Sequence, residues 1–245
     1  MLKNAAFGCI LTTLAWATIC SAADLRTTNL STTYVPPGAV SLGAELRSGK
    51  SPYIGVDNTS SQLNDNRVDL IPLYLYEDKW LFARGTSAGV HLFSNGALTV
   101  DTLIKYRFDR LEADSNAYFA GMEDRKQSVD GGLSAAFSGD WGAVSATWLS
   151  DIMGHHNGAE WDISYRYPWQ SGRLVMSPFV SYVYQDRDLV DYYYGVRDDE
   201  ALPDRPAYRA GSASFWRAGI SISYRVSQRV MVFSNIAVEQ LDQEV

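Results

Sequence analysis

The residues of this sequence that could do chemistry are few and scattered. His155 and His156 are adjacent, with Asp151 nearby, and could form a metal site or a catalytic dyad. Zinc needs three or four convergent ligands, and two neighbours in a loop cannot easily both point at one ion. We therefore expect solvated loop histidines and no bound metal.

A hydrolase would need a nucleophile beside a base that a third group orients. His91 with Ser87 or Ser94 could supply such a pair, but no spacing in the sequence singles it out. We therefore expect no catalytic residue, no cofactor and no enzymatic activity.

The carboxylates of Asp198, Asp199 and Glu200 form a second cluster. Paired carboxylates can perform glycosidic acid–base catalysis or bind calcium. We favour an acidic solvated loop, or divalent ions that bridge its carboxylates to lipopolysaccharide phosphates. The tyrosines at 192–194 could stack on carbohydrate, but we favour an outer aromatic belt at a membrane surface.

The elements that must position these residues are strands, because hydrophobicity alternates with a period of two. Trp161, Ile163 and Tyr165, for example, alternate with Asp162 and Ser164. Successive strand side chains point to opposite faces, so each segment has one apolar and one polar face. The aromatic apolar faces and the mid-strand charges favour a membrane barrel over a soluble sandwich.

In such a barrel the apolar face meets lipid and the charged face lines the lumen. The charges that we expect to face the lumen and to form cross-strand ion pairs are Glu45, Arg47, Asp69, Asp101, Lys105, Arg107, Asp162, Arg166, Arg217 and Arg225. They could plug the pore or tune its selectivity.

The pattern predicts about eleven strands in an antiparallel up-and-down β-barrel. Short turns alternate with longer loops at 48–66, 110–127, 151–157 and 186–212, except at the short Gly85-Thr86 junction, where we prefer two strands to one. Bacterial single-chain barrels have even strand numbers, so we expect twelve strands, with the last one missing from a C-terminally incomplete chain.

The N-terminus predicts a cleavable signal peptide at residues 1–23. Lys3 precedes an apolar stretch from Ala5 to Ile19, and cleavage would follow Ala22 or Ala23. Cys20 admits a lipoprotein alternative, which Ile19 disfavours. The remaining residues, 24–245, would form one outer-membrane barrel domain without cysteine.

Composition narrows the choice of partners. The chain carries 21 Lys and Arg against 28 Asp and Glu, a net charge of -7. This acidic balance without a basic cluster argues against nucleic acid as a partner. No second apolar run reaches the roughly 18 residues of a transmembrane helix, and 15 Tyr and 7 Trp suit interfacial belts.

Several segments resemble the MipA/OmpV family of MltA-interacting outer-membrane proteins. They include residues 51–57, 123–126, 131–134 and 150–158. The most specific is an outer-loop motif comprising Tyr192, Tyr193, Tyr194, Gly195, Arg205 and Pro206.

The resemblance implies a location in the outer membrane, in contact with lipid and lipopolysaccharide. It also implies a scaffold that joins a lytic transglycosylase to a bifunctional penicillin-binding protein in murein metabolism. A narrow porin-like channel or an adhesin is the alternative, and a barrel hydrolase is the least favoured.

Overall fold

The computed structural model describes residues 8–18, 40–48, 69–115, 117–226 and 230–241. The alternating segments form strands, which are β1 Gly8–Thr18, β2 Val40–Ser48, β3 Asp69–Glu77, β4 Leu81–Gly85, β5 Ser87–Ser94, β6 Leu98–Arg107, β7 Ser128–Gly139, β8 Gly142–Asp151, β9 Ala159–Arg166, β10 Trp169–Ser171, β11 Leu174–Gln185, β12 Ala213–Arg225 and β13 Val230–Leu241. One α-helix, α1, spans Arg187–Tyr194, and two 3-10 helices span Ala113–Ser115 and Ala117–Phe119. None of the helices in these ranges is long and apolar enough to cross a membrane.

The strands form one closed antiparallel sheet. β2 to β9 pair in chain order, and so do β11 to β13. β1 lies between β13 and β2. The pairing of β9 with β11 closes the ring. β10 pairs with β11 beyond the end of β9, and the Tyr167 N–H donates to the Pro178 carbonyl between them. β9 and β10 therefore share one position in the ring, so the thirteen described strands occupy twelve positions. The expected all-β up-and-down barrel is confirmed.

β1 falls within the segment for which the sequence predicts a signal peptide. Its residues pair with β13 along its whole length and with β2 from Ile10 to Leu14. Residues 8–18 thus fill the twelfth strand position, which we had expected a C-terminal strand to fill. Cleavage after Ala22 or Ala23 stays a prediction, because those residues lie outside the described part of the structure.

The two ends of the barrel differ in their connections. At the turn end, short turns centred on 78–80, 95–97, 140–141 and 172–173 join the strands. At the loop end lie the segments 108–127, 152–158 and 186–212. The split at Gly85-Thr86 is confirmed, because Arg84 pairs with Ser87 across a two-residue turn. Gly85 has φ 63° there, which favours glycine.

The alternation predicted from the sequence separates two faces of each strand. In β11, Phe179, Ser181 and Val183 are buried, while Tyr182 and Tyr184 are exposed on the outside. The outer surface carries many more exposed aromatic and aliphatic side chains, including Ile104, Leu133, Trp148, Trp161, Ile163, Tyr165 and Trp216. Such a surface is suited to lipid rather than water.

Replacing Ile163 with Arg tests this assignment of faces. The Ile163 side chain is 51% exposed on the outer surface, so Arg there would enter the hydrocarbon region and should lower the free energy of unfolding by about 2–4 kcal/mol. Asp162→Asn, on the inner face, should change it far less. Urea unfolding in lipid vesicles measures both, and equal effects would contradict the assignment.

Candidate functional site

A compact ion-pair cluster lies inside the barrel wall on β3 to β6. Arg84 donates to both carboxylate oxygens of Glu77 at 2.8 and 2.9 Å. The buried His91 ring lies between two carboxylates, with Nδ1 2.6 Å from Asp101 Oδ1 and Nε2 3.0 Å from Glu77 Oε1. The four side chains therefore satisfy one another within one largely buried group.

This cluster leaves His91 with no free nitrogen for catalysis. Both ring nitrogens lie within hydrogen-bond distance of a carboxylate oxygen. Ser94 Oγ lies 3.3 Å from Thr99 Oγ1 instead, and no described hydrogen bond joins Ser87 or Ser94 to a histidine. The structure thus does not bring together the His91–serine pair that the sequence admitted.

A second cluster occupies the loop end of the lumen and is centred on Arg107. Its guanidinium donates to Asp130 at 2.7 and 2.9 Å and to Glu160 at 3.0 Å. Glu160 also accepts from Lys105 and from Gln185. β6 and β9 are not neighbours in the sheet, so these contacts cross the lumen. They tie together strands that share no backbone ladder.

His156 joins the Arg107 cluster from the loop at 152–158. Its Nδ1 accepts from the Gly158 N–H at 3.1 Å, and its Nε2 lies 2.9 Å from Asp130 Oδ1. The ring therefore bridges the loop and Asp130 on β7. Our expectation of two solvated histidines is wrong for His156, which is 3% exposed. His155 is half-buried, and its Nδ1 contacts the Gln127 carbonyl at 2.7 Å.

Asp130, Asp151 and His156 have ligand atoms within 4.8 Å of one another, close enough for a metal ion. Their atoms are already engaged, however. Asp151 accepts from Ser128 Oγ at 2.6 Å and from the backbone N–H groups of residues 153, 156 and 157. A metal would have to displace these bonds and approach the Arg107 guanidinium, so the donor set fits a structural network better than a metal centre.

The loops at 108–127 and 186–212 fold against each other, and we call this unit the cap. Its central contact is a buried ion pair in which Arg125 donates to both carboxylate oxygens of Glu200, at 2.7 and 2.9 Å. Glu200 also accepts from the N–H groups of Glu123 and Arg197. Burial raises the pKa of Glu200, but the hydrogen bonds from Arg125 and the backbone outweigh it and lower the pKa to about 2.

Arg205 supplies the second link between the loops of the cap. Its buried guanidinium donates to the carbonyls of Glu200, Ala120 and Tyr118. These carbonyls belong to both loops, and no neighbouring strand would otherwise satisfy them. An apolar cluster of Leu111, Phe119 and Met122 packs beside them, with Val196 against it.

α1 connects the cap to the barrel. Asp186 caps its N-terminus by accepting from the Leu189 N–H at 3.0 Å and also accepts from the Ala159 N–H at 2.7 Å. Leu189 and Tyr193 are buried with Ala210. The interpretation of residues 192–194 as a membrane-facing belt is therefore wrong for Tyr193, whose hydroxyl donates to the Lys126 carbonyl. Burial raises the pKa of Tyr193.

The expected lumen charges fall into three groups in the structure. Asp101, Lys105 and Arg107 belong to the two buried clusters described above. Asp162 lies 3.7 Å from Arg217, and Arg166 donates to Ser221 Oγ at 3.2 Å and lies over the Phe179 ring. Arg225 is half-buried, and the side chains of Glu45, Arg47 and Asp69 lie outside the described part of the structure.

Four members of these clusters were not predicted from the sequence, namely Glu77, Arg125, Asp130 and Glu160. Glu160 and Asp130 sit at inward positions of β9 and β7, so the alternation could have found them. Arg125 and Glu200 are 75 residues apart in irregular loops. No alternation of apolar and polar residues in such loops indicates which side chains are buried. The sequence grouped Asp198, Asp199 and Glu200 as one acidic solvated loop. In the structure Asp198 and Asp199 are exposed, but Glu200 is buried.

Comparison with known proteins places the chain among outer-membrane proteins. Residues 42–245 match the family described as MltA-interacting protein MipA. Outer membrane protein Omp26La of Vibrio anguillarum is 30% identical over 55% of this chain, which spans about half (52%) of that protein's length. Putative outer membrane protein YiaT of Escherichia coli K12 is 25% identical over 84% of this chain and 82% of its own. MltA-interacting protein of the same strain is 24% identical, with coverages of 85% and 82%.

Proposed function

Since this chain belongs to the MipA family and is an outer-membrane protein, we propose that it is a non-enzymatic scaffold of the cell envelope. In this role it anchors a lytic transglycosylase, and through it a penicillin-binding protein, at the outer membrane. The name of one relative, MltA-interacting protein, suggests the first partner. The second is carried over from the family resemblance alone.

The observation that supports a scaffold over an open pore is the set of contacts that cross the lumen. Lys105 and Arg107 reach Glu160 from three strand positions away, and the cap adds a buried layer of side chains at the loop end. Charges held by several hydrogen bonds stay in place, and those on β6 and β9 extend into the lumen at its loop end. A rigid barrel of this kind serves as an anchor whose exposed ends meet other proteins.

A murein enzyme would meet the turn end if the loops face outward, as alternating short turns and long loops suggest. The exposed residues there include Lys79, Trp80, Asp140 and Trp141. They surround the barrel rim and combine aromatic rings with charges of both signs. Such rims are suitable for weak, polar protein contacts.

The test is affinity capture of the tagged full chain from detergent extracts of its native host. We expect a lytic transglycosylase to be enriched, and the double variant Lys79→Glu/Asp140→Arg to reduce its recovery by about tenfold through charge reversal at the rim. The matched control, Asp204→Arg in the cap, should leave recovery unchanged. No enrichment, or equal loss in both variants, would overturn the proposal.

A narrow channel is the second candidate, and the charged lumen favours it. Planar-bilayer recordings separate the two functions. Steady conductance steps from the wild-type chain would support the channel, while a silent barrel that still captures the transglycosylase supports the scaffold.

A further inference from the structure

A cavity of about 350 Å³ opens on the outer surface of the cap. It lies between the C-terminal end of α1 and the segment at 196–209. Its polar walls are formed by Asp191, Arg197, Asp198, Asp199, Tyr208 and Arg209. The volume is at the lower end of the range of small-molecule sites. None of these side chains belongs to the lumen clusters or to the turn end.

The backbone around this cavity is held in place by its own hydrogen bonds. Val196 and Tyr208 exchange two backbone hydrogen bonds of 2.8 and 2.9 Å. Asp191 accepts from the Ala210 N–H at 2.7 Å through its side chain and from the Gly195 N–H at 2.9 Å through its carbonyl. A frame fixed in this way loses little freedom when a ligand binds, which favours affinity.

The charges around the cavity select the kind of ligand. Arg197 pairs with Glu123, and Arg209 lies 3.2 Å from Asp198. The lining itself holds three carboxylates, Asp191, Asp198 and Asp199, against two guanidinium groups, and Glu123, outside the lining, adds a fourth carboxylate through Arg197. The excess of negative charge repels anions. The carboxylates also suit hydroxyl donors, because hydrogen bonds to carboxylates are stronger than those between neutral groups.

Tyr208 is part of the same wall and carries the only aromatic ring among the residues that line it. It is 42% exposed, and its backbone is fixed by the bridge to Val196. An aromatic face beside hydroxyl acceptors matches a sugar ring, which has an apolar C–H face and a rim of hydroxyls. A bare divalent cation would use the carboxylates but gain nothing from the tyrosine.

We propose that this cavity binds a neutral, hexose-sized saccharide, stacked on Tyr208 and hydrogen-bonded to Asp191 and Asp199. The site lies on the loop end, away from the proposed transglycosylase contact, and does not depend on the scaffold function. It would let the barrel contact the saccharides of a cell surface.

The test is saturation-transfer NMR and a binding titration on the full chain in lipid nanodiscs, free of sugar-based detergent. The probes are glucose, galactose, mannose and N-acetylglucosamine, with galacturonic acid as the acidic counterpart of galactose. We expect at least one neutral sugar to bind, and galacturonic acid to bind about tenfold more weakly than galactose.

Two variants locate the binding. Tyr208→Ala should weaken it about tenfold, and Tyr208→Phe should retain it, because stacking needs the ring and not the hydroxyl. Mobility shifts on detergent gels check that both variants form barrels. Absence of saturation transfer from all four neutral sugars, tighter binding of galacturonic acid, an unchanged affinity in Tyr208→Ala, or a response to calcium alone would overturn the proposal.

Discussion

Replacing Arg125 with Ala is expected to open the cap while the barrel stays folded. The side chains of Arg125 and Glu200 are 1% and 2% exposed, so removing the guanidinium leaves a carboxylate buried without its partner. Breaking such a pair costs about 3–5 kcal/mol. Limited proteolysis within residues 186–212 should accelerate by about two to four orders of magnitude, because cleavage follows the population of the open state.

The matched control for this variant is Arg209→Ala. Arg209 and Asp198 also form an ion pair in the cap, but their side chains are 70% and 78% exposed. An exposed pair contributes at most about 1 kcal/mol, so proteolysis should change by fivefold or less. The double replacement Arg125→Met/Glu200→Leu should restore part of the resistance, since no buried charge remains, although the N–H groups of Glu123 and Arg197 lose their acceptor. Similar rates for Arg125→Ala and Arg209→Ala would contradict the role of the buried pair.

The Arg125–Glu200 pair also sets the acid limit of the cap. The pKa of Glu200 is about 2 when folded, against 4.5 for an ordinary glutamate. A lowered pKa means that the pair stabilises the cap fully above about pH 4.5 and loses this contribution as the pH falls toward 2. The wild-type cap should therefore become protease-sensitive in that window, as followed with an acid-stable protease. In Glu200→Gln this dependence should be largely absent.

The strands were predictable because their pattern is local. Each of β2 to β13, with β9 and β10 counted together, overlaps a segment that the alternation of apolar and polar residues had indicated. The inner and outer faces follow from the same pattern, since a one-residue shift would turn Ile163 inward and Asp162 toward lipid. Even the short Gly85 turn follows from an alternation of connections along the chain.

The cap and the ring position of β1 were not predictable in this way. The cap depends on contacts between residues 70 to 87 positions apart, such as Arg125 with Gly195 and Arg205 with Tyr118, within segments that have no repeating pattern. His156 appeared solvated because a loop residue is usually exposed, yet the inward position of Asp130 draws it into the lumen. The pairing of residues 8–18 with β13 joins opposite ends of the chain, which no local signal can indicate.

Replacing Arg107 in the lumen is expected to have the second large effect on stability, because its guanidinium is shared by the buried carboxylates. Its side chain is 4% exposed and contacts Asp130 and Glu160. Arg107→Met should lower the free energy of unfolding by about 3–5 kcal/mol, since both carboxylates lose a buried partner. Urea unfolding in lipid vesicles measures this loss.

The same experiment distinguishes a shared guanidinium from a simple positive charge. Arg107→Lys keeps the charge but offers a single ammonium, which cannot reproduce a fork that reaches two carboxylates on β7 and β9, so it should recover only part of the stability. Arg217→Met is the control, because Arg217 and Asp162 are 3.7 Å apart with side chains 30% and 28% exposed, and it should lose about 1 kcal/mol or less. If Arg107→Met were no more destabilised than Arg217→Met, the contacts across the lumen would not stabilise the barrel, and the support that they give to a scaffold over an open pore would fail with them.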